Sequence, residues 1–146
     1  MKACVLAALP LVAALAATPS AAGDSFPTGH WYTEGVENGL RLQSVVQNSP
    51  DGTFTKNIRN GTDCSAISTW VETGTWTYDG KQYVEVTQTV NGQKVDSSRA
   101  DYNDAFEVTR VDDSHVTLHD VKTLLTWSFS KVDQHFAMSP PKECTV

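Results

Sequence analysis

Residues 82–95 read QYVEVTQTVNGQKV, and this stretch decides the fold class. Val84, Val86 and Val90 recur at even spacing among polar residues, which is the pattern of an extended chain with alternate side chains on opposite faces. Asn91-Gly92 then reverses the chain, because a two-residue type I′ turn needs positive φ at both central positions and this pair supplies it. A hairpin over 82–90 and 93–98 follows. Working outward, runs rich in Val, Thr, Trp, Tyr and Phe predict further strands at 29–35, 40–48, 53–60, 69–78, 103–111, 115–121 and 124–132. Between them stand the turn elements Glu37-Asn38-Gly39, Ser49-Pro50-Asp51-Gly52, Asp79-Gly80 and Asp112-Asp113-Ser114. No segment of ten residues carries a 3.6-residue apolar stripe, and only Asp63-Ile67 leaves room for a helical turn. The expected fold is all-β: one up-and-down antiparallel barrel of eight or nine strands, since a meander hides both its edges only by closing on itself. A β-sandwich is the alternative.

Ahead of this domain, Met1–Ala22 has an early cation (Lys2), an apolar stretch from Ala3 to Ala17 interrupted by Pro10, and small residues at Ser20 and Ala22. That is the order of a secretory signal peptide, with the mature chain, residues 23–146, starting at Gly23. The apolar run is too short to span a bilayer as a helix, so no transmembrane anchor is expected, and the destination is secreted or periplasmic. Cleavage removes Cys4 and leaves Cys64 and Cys144, which are expected to pair in an oxidising compartment. That bridge would close a loop of about 80 residues and contribute roughly 4 kcal/mol by restricting the unfolded chain. The net charge of −6, with 17 acidic against 11 basic residues, argues against nucleic acid as a partner. Oligomeric state is left open.

Strand parity assigns faces. The expected inward apolar set is Trp31; Leu40, Leu42 and Val46; Phe54 and Ile58; Trp70, Trp76 and Tyr78; Val84, Val86 and Val90; Phe106 and Val108; Val116 and Leu118; and Leu125, Trp127 and Phe129. The same parity carries Thr33, Ser44, Lys56, Glu72, Gln88, Arg110, Asp120 and Lys131 inward. Charges there must sit at a rim, pair with one another, or face a wet cavity, because burying them alone costs several kcal/mol each.

The run Gly29-His30-Trp31-Tyr32 at the first strand, followed by a meander of about eight strands, resembles the calycin group: lipocalins, avidins and fatty-acid-binding proteins. Gly-x-Trp is the lipocalin signature at the start of the first strand, and Gly74-Thr75-Trp76 repeats it. The resemblance implies structural roles for Gly29 and Trp31, with the tryptophan covered at the closed barrel end by a cation from the last strand; Lys131 has the position and parity for it. Further lipocalin signatures and a C-terminal helix are lacking, and the resemblance does not specify a ligand.

Catalytic and metal chemistry find little support. His115 and His119 stand about 13 Å apart along one strand, too far for one zinc ion. No Gly-x-Ser-x-Gly stretch, phosphate-binding glycine loop or Cys-x-x-Cys spacing occurs, and the pairs Asp101/Asp104 and Asp112/Asp113 read as turn caps. Asn60-Gly61-Thr62 fits the N-glycosylation pattern. No cofactor or metal is expected. The leading expectation is a binding protein that holds a small hydrophobic or amphipathic molecule in the barrel. Trp70, Trp76 and Tyr78 would form the apolar wall, and Ser44, Lys56, Glu72, Gln88 and Arg110 the orienting polar groups. The alternatives are a filled barrel presenting loops such as Asn60–Ser68 to a protein partner, and a barrel enzyme such as an isomerase or cyclase using Glu72 or Asp120.

Overall fold

The computed structural model describes residues 26–37, 39–61 and 68–138. The expected leader with Cys4, the Asp63-Ile67 segment, and Cys64 and Cys144 lie outside them. Nine strands follow one another: β1 (Gly29–Glu37), β2 (Leu40–Asn48), β3 (Thr53–Gly61), β4 (Ser68–Tyr78), β5 (Gln82–Val90), β6 (Gln93–Lys94), β7 (Asn103–Val111), β8 (His115–Asp120) and β9 (Thr126–Val132). A short 3₁₀ turn, Ala100–Tyr102, precedes β7. Every pairing is antiparallel, in the order β4-β3-β2-β1-β9-β8-β7-β5, and a β4–β5 ladder closes the ring. Eight strands thus form an up-and-down barrel, with β6 as an extra two-residue strand hydrogen-bonded to the end of β5. The hairpin at Asn91-Gly92 has positive φ at both residues (49° and 77°), as the Asn-Gly pair requires. Its second strand is much shorter than expected, since only Gln93 and Lys94 pair.

Parity holds along β1 to β4 and fails in β5. Tyr83, Glu85 and Thr87 are buried inside, with 1%, 3% and 3% of their surface exposed, and the expected inward residues Val84 and Val86 lie on the outer face. The register shows why. Thr73 pairs with Thr89 and Gly74 with Thr87, so Gln88 is the extra residue of a β-bulge and every inward position beyond it moves by one. Gly74 makes the bulge possible: a Cβ there would stand 2.0 Å from the Val86 carbonyl oxygen. A second bulge interrupts the β7–β8 ladder. Val108 pairs with Leu118 but Arg110 with Thr117, which leaves Thr109 unpaired and turns Arg110 outward while Val111 faces Val116.

One end of the barrel is solid. Phe26, ahead of the first strand and outside the expected core, is 4% exposed and stacks on Tyr83 at 4.2 Å, with Tyr78 and Trp76 at 5.3 and 5.9 Å. Trp31, Val116 and Leu118 complete this core. The gap among Phe26, Trp31, Tyr83 and their neighbours is about 10 Å³, no more than one water could use. Trp31 donates its indole N–H to the Pro27 carbonyl at 3.1 Å, and the Lys131 ammonium stands 5.7 Å from its ring centroid, within cation–π range. Gly29, with φ of 116°, starts β1 alongside the Lys131 stem. After β9 the chain folds back over the outside: Phe136 packs on Tyr32 at 4.8 Å, and the Met138 carbonyl accepts from Arg59 at 3.0 Å. Val45 is 9% exposed and Gln43 5% although both belong to the outward set of β2.

Candidate functional site

The other half of the barrel is hollow. A cavity of about 270 Å³ lies toward the β8–β9 turn, whose Lys122 and Thr123 line it. It exists because the rings that plug the barrel, Phe26, Trp31 and Tyr83, fill only the closed end. Toward the mouth the inward positions carry Thr33, Ser44, Lys56 and Glu72, and these side chains do not fill a barrel of eight strands. Leu42, Ile58, Phe106, Trp127 and Phe129 supply the apolar wall. Asp104 and Asp120 join Lys122 on the β7–β8 side.

Charge is concentrated on one arc of neighbouring strands, β3, β4, β5, β7 and β8. Lys56 and Glu72 face each other in the β3–β4 register, and the Lys56 ammonium forms a salt bridge with Glu85 of β5 between the cavity and the core. The lysine side chain is 12% exposed and that of Glu85 4%. Glu85 in turn accepts from the Tyr83 hydroxyl at 2.8 Å, and the same hydroxyl lies 3.1 Å from the Asn48 side-chain oxygen. Tyr83, Glu85 and Lys56 therefore form one chain from the solid core to the cavity floor. Burial alone would push the Lys56 ammonium down, but the facing carboxylates of Glu85, Glu72 and Asp104 outweigh it and hold the group above its ordinary value. A lysine held as ammonium is no nucleophile, so the arrangement does not suit imine chemistry. Burial first, then the neighbouring Glu85 charge, pushes the Tyr83 phenol well above its usual range.

The rim is held by local bonds. Asp120 accepts from the backbone N–H groups of Lys122 and Thr123 at 2.7 and 3.0 Å, which fixes the β8–β9 turn. Lys122 donates to the carbonyls of Ala100 and Asn103 and stands 3.3 Å from Asp104. Glu72 accepts from the Trp70 indole at 2.8 Å.

Of the residues the sequence nominated, Ser44, Lys56 and Glu72 line the cavity together. Trp70 stands beside it, tied to Glu72. Trp76 and Tyr78 do not reach it: they pack on Phe26 at the closed end, where the Trp76 indole donates to the carbonyls of Ser49 and Thr53. They share the inward face of β4 with Glu72, yet lie too far along the strand. Gln88 is exposed because it is the bulged residue, and Arg110 is turned out by the bulge at Thr109 and pairs with Asp112 at 2.7 Å. Sequence reasoning missed Glu85, Asp104, Lys122 and Thr123. Asp104 shares parity with Phe106 and could have been found, Glu85 was hidden by the bulge, and Lys122 and Thr123 belong to a turn, where no parity applies. Residues 62–67 of the loop considered for a protein partner lie outside the described residues. His115 and His119 are held by local contacts, to Ser114 at 2.9 Å and Thr126 at 3.2 Å, and among the described residues no group of three His, Cys, Asp or Glu side chains is placed to hold a metal ion.

No protein-family model and no curated protein matches this chain.

Proposed function

We propose that this protein is an exported, lipocalin-like carrier that binds one small amphipathic molecule in its barrel. The observation that supports this most is the cavity of about 270 Å³, lined by both apolar side chains and charged groups. A cavity of roughly 150 Å³ already accommodates benzene, so this one has room for a larger ring compound. The Gly29-x-Trp31 start, the Lys131 ammonium over the Trp31 ring and the up-and-down closure are what favour a lipocalin-like relationship. Cys64 and Cys144 are proposed to pair: the C-terminal strap brings Met138 against Arg59, so the two cysteines follow from neighbouring points on the outer wall.

Trp127 in the wall and Trp70 beside Glu72 provide the readout. Tryptophan emission is titrated with a panel of aromatic and aliphatic alcohols, amines, carboxylic acids and biotin. The expected result is a saturable one-site change that Ser44→Phe abolishes by filling the cavity. No response from any member of the panel would remove this reading.

A further inference from the structure

Resting on the cavity reading above, we propose that the ligand is an organic cation: an amine or quaternary ammonium compound with a compact aromatic or aliphatic body. The argument is one of charge balance inside an apolar-walled space. Glu72, Asp104 and Asp120 face the cavity and Glu85 lies at its floor, against two ammonium groups, Lys56 and Lys122. Both cations are already engaged. Lys56 is bound to Glu85, and Lys122 is held by two backbone carbonyls with Asp104 3.3 Å away. The four carboxylates thus exceed the ammonium groups by two; Asp120 is bound to the backbone N–H groups of its own turn and Glu72 to the Trp70 indole, and these neutral donors leave the excess of negative charge in place.

Each class of ligand meets this surplus differently. An anionic headgroup would compete with Glu85 for Lys56 and would still meet the charge of Glu72, Asp104 and Asp120 around the same space. A neutral body would strip water from those carboxylates and return at most a neutral hydrogen bond. A cation replaces that water with charge-assisted contacts, and the aromatic residues Phe106 and Trp127 line the same space. Scaling from benzene in a cavity of roughly 150 Å³, the volume suits a body of about ten non-hydrogen atoms.

The test is calorimetric titration of the protein with three isosteres of one size: phenethylamine, phenethyl alcohol and phenylacetate. The amine is expected to bind at least about tenfold tighter than the alcohol, and the acid more weakly than either. Glu72→Gln and Asp104→Asn should each narrow the amine-to-alcohol ratio several-fold, with far-ultraviolet circular dichroism confirming the barrel; should either variant fail to fold, the ratio on the unaltered protein still decides. If the alcohol or acid binds as well as the amine, the charge argument falls and the cavity reading stands. If none of the three binds and the wider panel is also silent, both fall.

Discussion

Lys56 and Glu85 show how far one residue pair controls this molecule. Both side chains are nearly buried, with Lys56 at the edge of the cavity. Glu85→Ala removes the direct partner of Lys56 while Glu72 and Asp104 still face it, so a cost of about 1–3 kcal/mol is expected, read as a lower urea midpoint. Lys56→Met with Glu85→Leu should recover most of that loss, because an apolar pair of similar volume often matches a buried ion pair. The pair also sets a pH dependence. The folded Lys56 value is raised, so its contribution is complete below the ordinary lysine range near ~10.4 and fades as pH rises through the folded value. Tyr83 acts in the same direction, because the unfolded phenol ionises near ~10 while the buried one resists. Stability should therefore fall above about pH 10, and less steeply in the Lys56→Met/Glu85→Leu variant. Gly74 is the other controlling residue. Gly74→Ala would place a methyl group 2.0 Å from the Val86 carbonyl and 2.9 Å from the Phe54 ring, so loss of the bulge and of cooperative unfolding is the expected outcome.

Among the elements, the β8–β9 turn carries a strained residue. Leu124 has φ of 61°, in the left-handed region that bulky residues avoid, and is 70% exposed. Its backbone N–H bonds to Asp120, which also caps Lys122 and Thr123 at the rim of the cavity. Leu124→Asn should stabilise the protein by about 0.5–1 kcal/mol, measured as a shift in urea midpoint, because asparagine tolerates that conformation. The two bulges are the elements that alternation could not disclose. In β5 the valines at 84, 86 and 90 dominate the pattern, yet Gln88 is looped out, which leaves Val84 and Val86 outside and brings Glu85 in to meet Lys56. A bulge depends on the partner strand, here on the absence of a side chain at Gly74, and no single-strand period contains that information.

At the scale of the whole molecule, the barrel is divided between an aromatic plug at one end and a charged hollow at the other. The proposed Cys64–Cys144 bridge would tie the outer strap across β1 to β3. Mass spectrometry of the unreduced protein, residues 23–146, should show no alkylatable thiol, and two free thiols would overturn the bridge. The sequence by itself determined the class of this fold: alternation, tight turns and the Asn91-Gly92 hairpin all act over a few residues, and closure follows from the cost of leaving edges unpaired. It also determined that Lys56, Glu72 and Ser44 point inward, because no bulge disturbs β2, β3 or β4 before them. Only the tertiary structure decided which level of the barrel each inward residue occupies. Trp76 and Glu72 share one face of one strand, but Phe26, arriving from outside the barrel, fills the end where Trp76 lies and leaves the end where Glu72 lies empty. Parity fixes a side; height in the barrel depends on strand stagger and on what plugs the end, and both are set by contacts between residues distant in sequence.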